Sequence, residues 1–377
     1  MRCRFVLRLA DYVTSKRAVS LLSAVAIVAA ACGAAPQAVA PSSSPAAVTE
    51  TPKATPAPTA TPKPLWPLTG LPASDGAAIH RRPLNVRIPS DVNARPQTGF
   101  AKADLVFEMI VEGGVTRYAL IFHSQDSENV GPVRSYRYSD VPITRMLRGV
   151  IVSSGATVDE AAAATTSIKS GELLSVDDQR TPQPNPYFRV STRTSPNNLY
   201  ANLLLARKAA SAIGGDKPVD VPPLRFVPSP DHDAAAGGFA GAVPASTLTI
   251  PFLREPTTYM WDAGANGYRR SQRDVRTVDP DGNTPVLARN VVLMWTNIST
   301  TTTVEDNLGS LGLDYVMTGG GKASIFRDGR RQDGTWKRDN PLDQFSFYNQ
   351  SGEEIALSPG QSWISFVYPT WVVTSAP

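Results

Sequence analysis

The sequence is poor in the residues that carry most metal and nucleophile chemistry. Its 377 residues include two cysteines, Cys3 and Cys32, and three histidines, His80, His123 and His232. The histidines are scattered and none shows a metal-binding spacing, so we expect no metal and no cofactor. The chain also lacks a Gly-x-Ser-x-Gly motif and a pair of Ser-x-x-Lys and Lys-Thr-Gly motifs. These absences argue against the standard acyl-transfer enzymes.

The N-terminal apolar run is shorter than the roughly 20 residues that a transmembrane helix needs. This run, residues 18–32, follows five basic residues and ends in three alanines and Cys32. The order predicts a lipoprotein signal peptide at 1–31, cleaved to leave a lipid on Cys32 and the protein on the extracytoplasmic face of the cell membrane. The usual pattern has leucine in place of Ala29, so ordinary secretion and an uncleaved anchor stay open as alternatives.

Removal of the signal peptide would also remove the charge imbalance. Residues 1–31 hold five of the 37 basic residues and one of the 33 acidic ones, so 32 of each would remain. A mature net charge near zero gives no reason to expect nucleic acid as a partner. Because Cys3 would be removed and Cys32 would carry lipid, the exported body has no disulfide, and its packed core must stabilise it.

Composition divides the mature chain into segments. Residues 32–64 consist mainly of Ala, Pro, Ser and Thr and predict a disordered tether. Residues 65–215 mix strand and helix patterns, whereas residues 245–377 contain short β-rich runs separated by glycine turns. Residues 216–244, rich in Gly, Pro and Ala, are interpreted as an interdomain linker. The predicted fold class is α+β, an N-terminal mixed α/β domain followed by a smaller, mostly β C-terminal domain.

The clearest local pattern is a hairpin around Gly113 and Gly114. Alternation along the first strand places Asp104, Glu108 and Glu112 on one face and apolar residues on the other. A two-residue Gly-Gly turn would set the register. It would pair Glu112 with Val115, Ile110 with Arg117 and Asp104 with His123, and would place Arg117 diagonal to Glu108 and Glu112. These side chains would form either an acid–base ladder on a half-exposed sheet or part of a binding site.

Two helix starts are predicted beyond this hairpin. Thr157 and Glu160 have the spacing of a capping box. Further along, Ser195 is predicted as the N-cap, and Pro196 as the first residue, of a helix that runs toward Lys208.

Arginine is the preferred basic residue of the first domain. Residues 65–213 contain 13 arginines and three lysines. Guanidinium groups suit bidentate capture of carboxylate or phosphate, although a high-GC genome would produce the same bias. The candidate ligand-binding residues are those of the hairpin face and of the turns and helix starts around it: Glu108, Glu112, Arg117, Arg134, Arg137, Arg193 and Asn198.

The order of short motifs resembles the YerB-like lipoprotein family. The motifs are Pro67-Leu68-Thr69-Gly70, Arg95-Pro96-Gln97-Thr98-Gly99, Val111-Glu112-Gly113-Gly114, Gly131-Pro132-Val133-Arg134-Ser135, Gly319-Gly320-Gly321-Lys322 and Pro359-Gly360-Gln361-Ser362-Trp363. The resemblance covers nearly everything after the tether. The family usually has a histidine where this chain has Asn197, ahead of Asn198, which weakens any proton-transfer role there. The resemblance implies an exported lipoprotein with two domains of unassigned function and supplies no reaction.

Two classes of function stay open. The first is a non-catalytic binding module, held at the membrane by lipid on Cys32, for an anionic envelope polymer, a glycan or an envelope protein. The second is a cell-envelope hydrolase or transferase that uses Glu108 or Glu112 with arginine support; no catalytic residue is assigned. An enclosed pocket with a raised carboxyl pKa would favour the enzyme, and a shallow open face would favour the binding module.

Overall fold

The computed structural model describes residues 63–180 and 182–377 of the chain. The predicted signal peptide 1–31, Cys32 and all but the last two residues of the predicted tether 32–64 lie outside the described residues. Within the described part, no helix has both the length and the apolar character needed to cross a membrane.

The described chain has its three α-helices in the first half. They are α1 (Asp140–Met146), α2 (Val158–Lys169) and α3 (Leu203–Ser211). The strands of this half are β1 (Leu84–Pro89), β2 (Leu105–Ile110), β3 (Thr116–Phe122), β4 (Val150–Ser153), β5 (Leu174–Asp177), β6 (Tyr187–Arg189) and β7 (Leu199–Ala201).

The second half is built from strands and turns. Its strands are β8 (Val243–Pro244), β9 (Thr247–Ile250), β10 (Thr257–Asp262), β11 (Gly267–Gln272), β12 (Val275–Arg276), β13 (Val278–Asp279), β14 (Thr284–Pro285), β15 (Leu287–Ala288), β16 (Asn290–Trp295), β17 (Ile298–Val304), β18 (Leu311–Tyr315), β19 (Gly319–Arg327), β20 (Arg330–Arg338), β21 (Ser346–Asn349), β22 (Ser362–Val367) and β23 (Thr374–Ala376). The distribution confirms the predicted α+β fold class, with a mostly β C-terminal part.

One sheet runs through both halves of the chain. Its strand order is β21-β20-β19-β16-β22-β2-β3-β1-β4-β5, with β8 beside β20. Strand β22 pairs in parallel with β2 on one side and with β16 on the other. Every residue of β2, β16 and β22 is buried, as expected for central strands covered on both faces. The two halves therefore share a continuous hydrogen-bonded framework.

Different layers cover the two faces of this sheet. On one face, Val106 and Tyr118 join a core that includes residues of β9, β10 and α3. On the other face, Phe107 and Ile121 join a core that includes residues of α1 and of the 216–244 segment. Apolar burial on both faces of a strand leaves little room for polar side chains, so the charged residues between these layers need partners.

The segment 216–244, predicted as an interdomain linker, contributes side chains to the second core. Val221, Leu224 and Phe239 are buried there. His232 is also enclosed, with 4% side-chain exposure, and its Nε2 lies 2.9 Å from Asp328 Oδ2. The segment connects the two halves along the chain and packs against them, and its assignment as a domain boundary stays a prediction.

The hairpin register differs by one residue from the prediction. The backbone N–H of Val111 donates to the carbonyl oxygen of Val115 at 2.8 Å, so the loop has three residues, Glu112–Gly114, with positive φ angles at both glycines. Arg117 therefore faces Met109, not Ile110. The predicted two-residue turn was wrong because Glu112 joins the two glycines in the turn.

The two predicted helix starts have opposite outcomes. The Thr157 hydroxyl accepts from the backbone N–H of Glu160 at 3.3 Å, and the Glu160 carboxylate accepts from the backbone N–H of Thr157 at 2.8 Å. This confirms the capping box. The helix predicted from Ser195 was wrong, because β7 occupies residues after that turn and α3 begins at Leu203, capped by the side chain of Asn202.

Candidate functional site

The candidate residues do not converge on one site but fall into three places. Glu108 lies on the sheet face that packs against β10 and β11, opposite Tyr118 in the register. Arg117 lies on the other face, opposite Met109. The prediction that Glu108, Glu112 and Arg117 share one face was therefore wrong, since a shift of one residue moves a side chain across the sheet.

Glu108 belongs to a buried ion pair. Arg270 Nη2 donates to Glu108 Oε1 at 2.6 Å, and neither side chain is exposed. The guanidinium also lies over the rings of Trp363 and Tyr118, at 5.0 and 5.2 Å from their centroids. Burial raises the pKa of Glu108, against the opposing charge of Arg270. A carboxylate enclosed in this way connects the two halves of the protein and is closed to a substrate.

Glu112 is held by two arginines from neighbouring elements. Arg117 Nη2 lies 2.5 Å from Glu112 Oε1, and Arg137 Nε donates to Glu112 Oε2 at 2.9 Å. Burial raises the pKa of Glu112, but the hydrogen bond from Arg137 and the charges of both arginines outweigh it, so the pKa is lowered. An ionised carboxylate with its oxygens taken up by guanidinium groups is a poor general acid or base.

Two further carboxyl groups complete this acid–arginine cluster, which comprises Glu112, Arg117, Arg137, Glu160 and Glu305. Glu160 lies in the first turn of α2, and Glu305 directly follows β17. Their carboxylate oxygens lie 3.8 and 3.3 Å from Arg137 Nε, and neither side chain is exposed. Burial raises the pKa of Glu160 to about 7, and the neighbouring Glu305 adds to the rise.

Only one member of this pair, Glu160, has a recognisable sequence motif. Glu160 was assigned to the capping box, and its backbone-directed oxygen does fill that role. Its second oxygen, Oε1, has no hydrogen-bond partner among the described residues. Glu305 follows a threonine-rich strand with no motif, and only the tertiary structure brings it to Arg137.

The remaining candidates lie around the turn between β6 and β7. Arg134 Nη2 donates to Asn197 Oδ1 at 2.7 Å, and Arg189 Nη1 donates to Asn198 Oδ1 at 2.7 Å. Arg193 donates to the backbone carbonyls of residues 94 and 96 at 2.8 and 2.6 Å. We call Arg134, Arg189 and Arg193 the arginine face.

The arginine face differs from the acid–arginine cluster in its charge balance. Its three guanidinium groups donate to carbonyl and amide oxygens. Within the described chain, none of the three lies within 4.0 Å of a carboxylate. Neutral acceptors therefore orient these guanidinium groups, and the charge of Asp91 acts on Arg134 without a direct ion pair. Arg134 and Arg193 are among the residues predicted from the sequence, whereas Arg189 is not.

A cavity of about 170 Å³ adjoins this face. Its lining is formed by Val133, Arg134, Ser135, Ser154, Arg189, Ser195, Pro196 and Leu199. The cavity lies where Ser154 follows β4, at the carboxyl end of a parallel strand pair formed by β1 and β4. Crevices at the carboxyl ends of parallel strands are common ligand sites in α/β sheets. Ser135 connects the cavity to the acid–arginine cluster, because its carbonyl oxygen accepts from Arg117 Nη1 at 3.3 Å.

The arrangement offers binding chemistry more readily than catalysis. Guanidinium and hydroxyl groups at a small open cavity suit a phosphate or carboxylate group. Glu108 and Glu112, proposed as alternatives for acid–base work, are absorbed into ion pairs. Among the described residues, no group of three or more His, Cys, Asp or Glu side chains is placed to hold a metal ion.

Comparisons with known proteins agree with this two-part architecture. Residues 68–215 match the N-terminal domain of a family described as "Protein of unknown function (DUF3048)", and residues 248–364 match the C-terminal domain of that family. The chain is 29% identical over 310 residues to a Bacillus subtilis (strain 168) protein named "Putative lipoprotein YerB", covering 80% of this chain and 85% of that one. The crystal structure of YerB protein from Bacillus subtilis superposes with a TM-score of 0.69 at 26% identity, over 84% of this chain and 100% of that one.

Proposed function

The chain belongs to the YerB-like DUF3048 family. We propose that it is an exported lipoprotein that binds an anionic component of the cell envelope. The arginine face would be the binding surface, and lipid on Cys32 would hold the protein on the extracytoplasmic face of the membrane. The relative's name supports the lipoprotein part of this proposal. The lipid would keep the protein beside the envelope polymers that it binds.

The observation that carries the proposal is that neutral oxygens, and no directly paired carboxylate among the described residues, hold the guanidinium groups of the arginine face. Arg134 and Arg189 lie on the rim of a cavity and are fixed by the side chains of Asn197 and Asn198. Guanidinium groups held in place lose less conformational entropy when they meet an anion. A phosphate or carboxylate could accept hydrogen bonds from both arginines, whereas the hydroxyl groups of Ser135 and Ser154 already donate to the Ser154 carbonyl oxygen and to Asp178.

The geometry favours this binding module over the alternative of a hydrolase or transferase. Glu108 is enclosed by core side chains, and the pKa of Glu112 is lowered by its two arginines. Neither carboxyl group combines a raised pKa with access to a cavity, which was the combination expected of an acid–base enzyme. The cavity beside Arg134 is open to solvent, as expected of a binding surface.

Binding to isolated envelope fractions tests the proposal. We expect Arg134→Ala, Arg189→Ala and Arg193→Ala each to reduce retention of the full-length, detergent-solubilised protein, because each removes a charge-assisted interaction of about 1.5 to 3 kcal/mol. That range corresponds to roughly tenfold weaker binding or more. Retention should also fall as salt concentration rises.

Arg225→Ala is the matched control. Arg225 is exposed and lies 3.4 Å from Glu354 on the C-terminal part, so its loss should leave retention unchanged. Thermal unfolding of each variant separates loss of binding from loss of fold. Equal retention of wild type, the three arginine-face variants and the control would remove the proposed surface. If the wild-type protein is retained only by a neutral glycan, the ligand is a sugar and the proposal of an anionic ligand is wrong.

A further inference from the structure

The β17–β18 hairpin packs against the first half of the chain, and a small set of polar contacts holds it there. Near its base, the Tyr315 hydroxyl donates to the carbonyl oxygen of Ile110 at 2.5 Å. Nearer its tip, the Thr303 hydroxyl donates to Asp159 Oδ2 at 2.7 Å and lies 2.8 Å from the Tyr138 hydroxyl. The base is thus held by a buried tyrosine, whereas the outer part depends on polar groups.

The outer part of the hairpin has little apolar contact to hold it. Val304 and Leu311 are 55% and 40% exposed, and Leu308 at the turn is 91% exposed. Strands β17 and β18 pair with each other as a separate two-stranded sheet. A two-stranded ribbon with exposed apolar residues has low independent stability, so side-chain contacts with the first half decide where it lies.

Glu305, at the start of the hairpin loop, also contacts the first half. Its side chain has no exposure, and both of its carboxylate oxygens lack a hydrogen-bond donor among the described residues. Arg137 Nε has one hydrogen, which it donates to Glu112 at 2.9 Å. Arg137 therefore attracts Glu305 and Glu160 by charge, and its Nε–H is not available to either. Two buried acceptor groups in contact can form a hydrogen bond only if one of them holds a proton.

We propose that Glu160 and Glu305 share one proton and act as a latch that holds the outer β17–β18 hairpin on the first half of the protein and releases it when that proton is lost. One oxygen of each carboxyl group lies within 4 Å of the same atom, Arg137 Nε, and both of these oxygens lack a hydrogen-bond partner among the described residues. Two guanidinium charges, of Arg117 and Arg137, face three carboxyl groups of the cluster. The cluster is neutral with one proton and carries a net negative charge without it.

The electrostatic environment supports a proton held near neutral pH. The charged and titratable groups that face the pair are Arg137 and Tyr136 ahead of α1, Glu112 and Arg117 at the β2–β3 loop, Asp159 on α2, and Asp306 and Tyr138 beside the hairpin. Burial raises the pKa of Glu160 to about 7 from its ordinary value of 4.5, and burial also raises the pKa of Glu305. The shared proton stabilises the latched hairpin fully below about pH 4.5, and this stabilisation is lost as the pH rises through about 7.

Release of the hairpin would affect the neighbouring binding surface. Glu305 would move away from Arg137, and the guanidinium groups of Arg117 and Arg137 would keep Glu112 and Glu160 as partners. These groups connect to the cavity through Ser135. The latch itself is independent of the proposed anion binding, and its test needs no ligand.

Hydrogen exchange of the full-length protein in detergent, followed by mass spectrometry over pH 6 to 8, measures the latch. After correction for the intrinsic exchange rate, exchange of hairpin amides between residues 300 and 312 should rise roughly tenfold across this range, because a single proton with a pKa about 7 is lost. Glu160→Gln and Glu305→Gln each supply a permanent amide donor to the remaining carboxylate. Both variants should therefore abolish the rise and keep the hairpin protected at pH 8.

Glu172→Gln is the control, because Glu172 lies beyond the other end of α2 and pairs with Arg145 at the surface. This variant should keep the pH dependence of wild type. A wild-type hairpin whose corrected exchange is the same at pH 6 and pH 8 would overturn the latch. So would a rise that persists in both Gln variants. If one Gln variant fails to fold, as judged by near-ultraviolet circular dichroism, the other and the wild-type profile still decide.

Discussion

Single residues show how this protein places charge inside a core without disulfides. Glu108 and Arg270 are both fully buried and come from different halves of the chain. Removing one member of such a pair leaves an uncompensated buried charge, which typically costs about 3 to 5 kcal/mol. Replacing both members by apolar residues of similar size is often neutral, so the pair specifies how the halves align more than it stabilises them.

We therefore expect Arg270→Met to lower the free energy of unfolding by about 3 to 5 kcal/mol, measured by urea denaturation. The double variant Glu108→Leu with Arg270→Met should recover most of that loss, because no charge stays unpaired in the core. A single variant that loses less than about 1 kcal/mol would mean that water or another group compensates Glu108. A double variant as unstable as the single one would assign the loss to packing around Trp363 and Tyr118.

Individual elements follow local sequence signals closely where those signals are strong. The capping box of α2 is formed by reciprocal hydrogen bonds between Thr157 and Glu160. We expect Thr157→Ala to lower the free energy of unfolding by about 1 kcal/mol, since it removes the N-cap acceptor. The control Thr165→Ala changes an exposed threonine of the same helix, whose hydroxyl donates to the carbonyl of Ala161. It should stay within about 0.5 kcal/mol of wild type, and an equal loss in both variants would contradict the cap assignment.

Elements with weak or competing signals could not be predicted to the residue. Gly113-Gly114 fits a two-residue or a three-residue turn, and the choice moves Arg117 from the face of Ile110 to that of Met109. Ser195-Pro196 has the pattern of a helix start, but β7 follows it because Leu199 and Tyr200 are buried in the core. In both places tertiary packing decided between local alternatives.

At the level of the whole molecule, the α+β class and the mostly β second half were predictable from the spacing of turns and apolar runs. The sheet shared by both halves could not be predicted, because the pairing of β22 with β2 joins residues that are far apart in sequence. The acid–arginine cluster was only partly predictable for the same reason. Glu112, Arg117 and Arg137 are close along the chain, whereas Glu305 reaches them from the second half.

The shared sheet leads to a prediction about domain behaviour. Limited proteolysis should not separate the halves at residues 216–244, because Val221, Leu224 and Phe239 are buried and His232 contacts Asp328. Gel electrophoresis and mass spectrometry of the products would show the halves still joined. Two resistant fragments with a cut inside that segment would indicate domains that fold independently and would favour the linker interpretation.

A titration of the full-length protein with inorganic polyphosphate at low and high salt shows whether the arginine face binds an anion. The triple variant Arg134→Ala, Arg189→Ala, Arg193→Ala is compared with a control that removes three other surface arginines, Arg225, Arg254 and Arg273. We expect wild type and the control to bind at low salt and to bind more weakly at high salt, and the arginine-face variant to bind at least about tenfold more weakly. Equal affinity of the two triple variants at low salt would show that the arginine face is not the anion-binding surface.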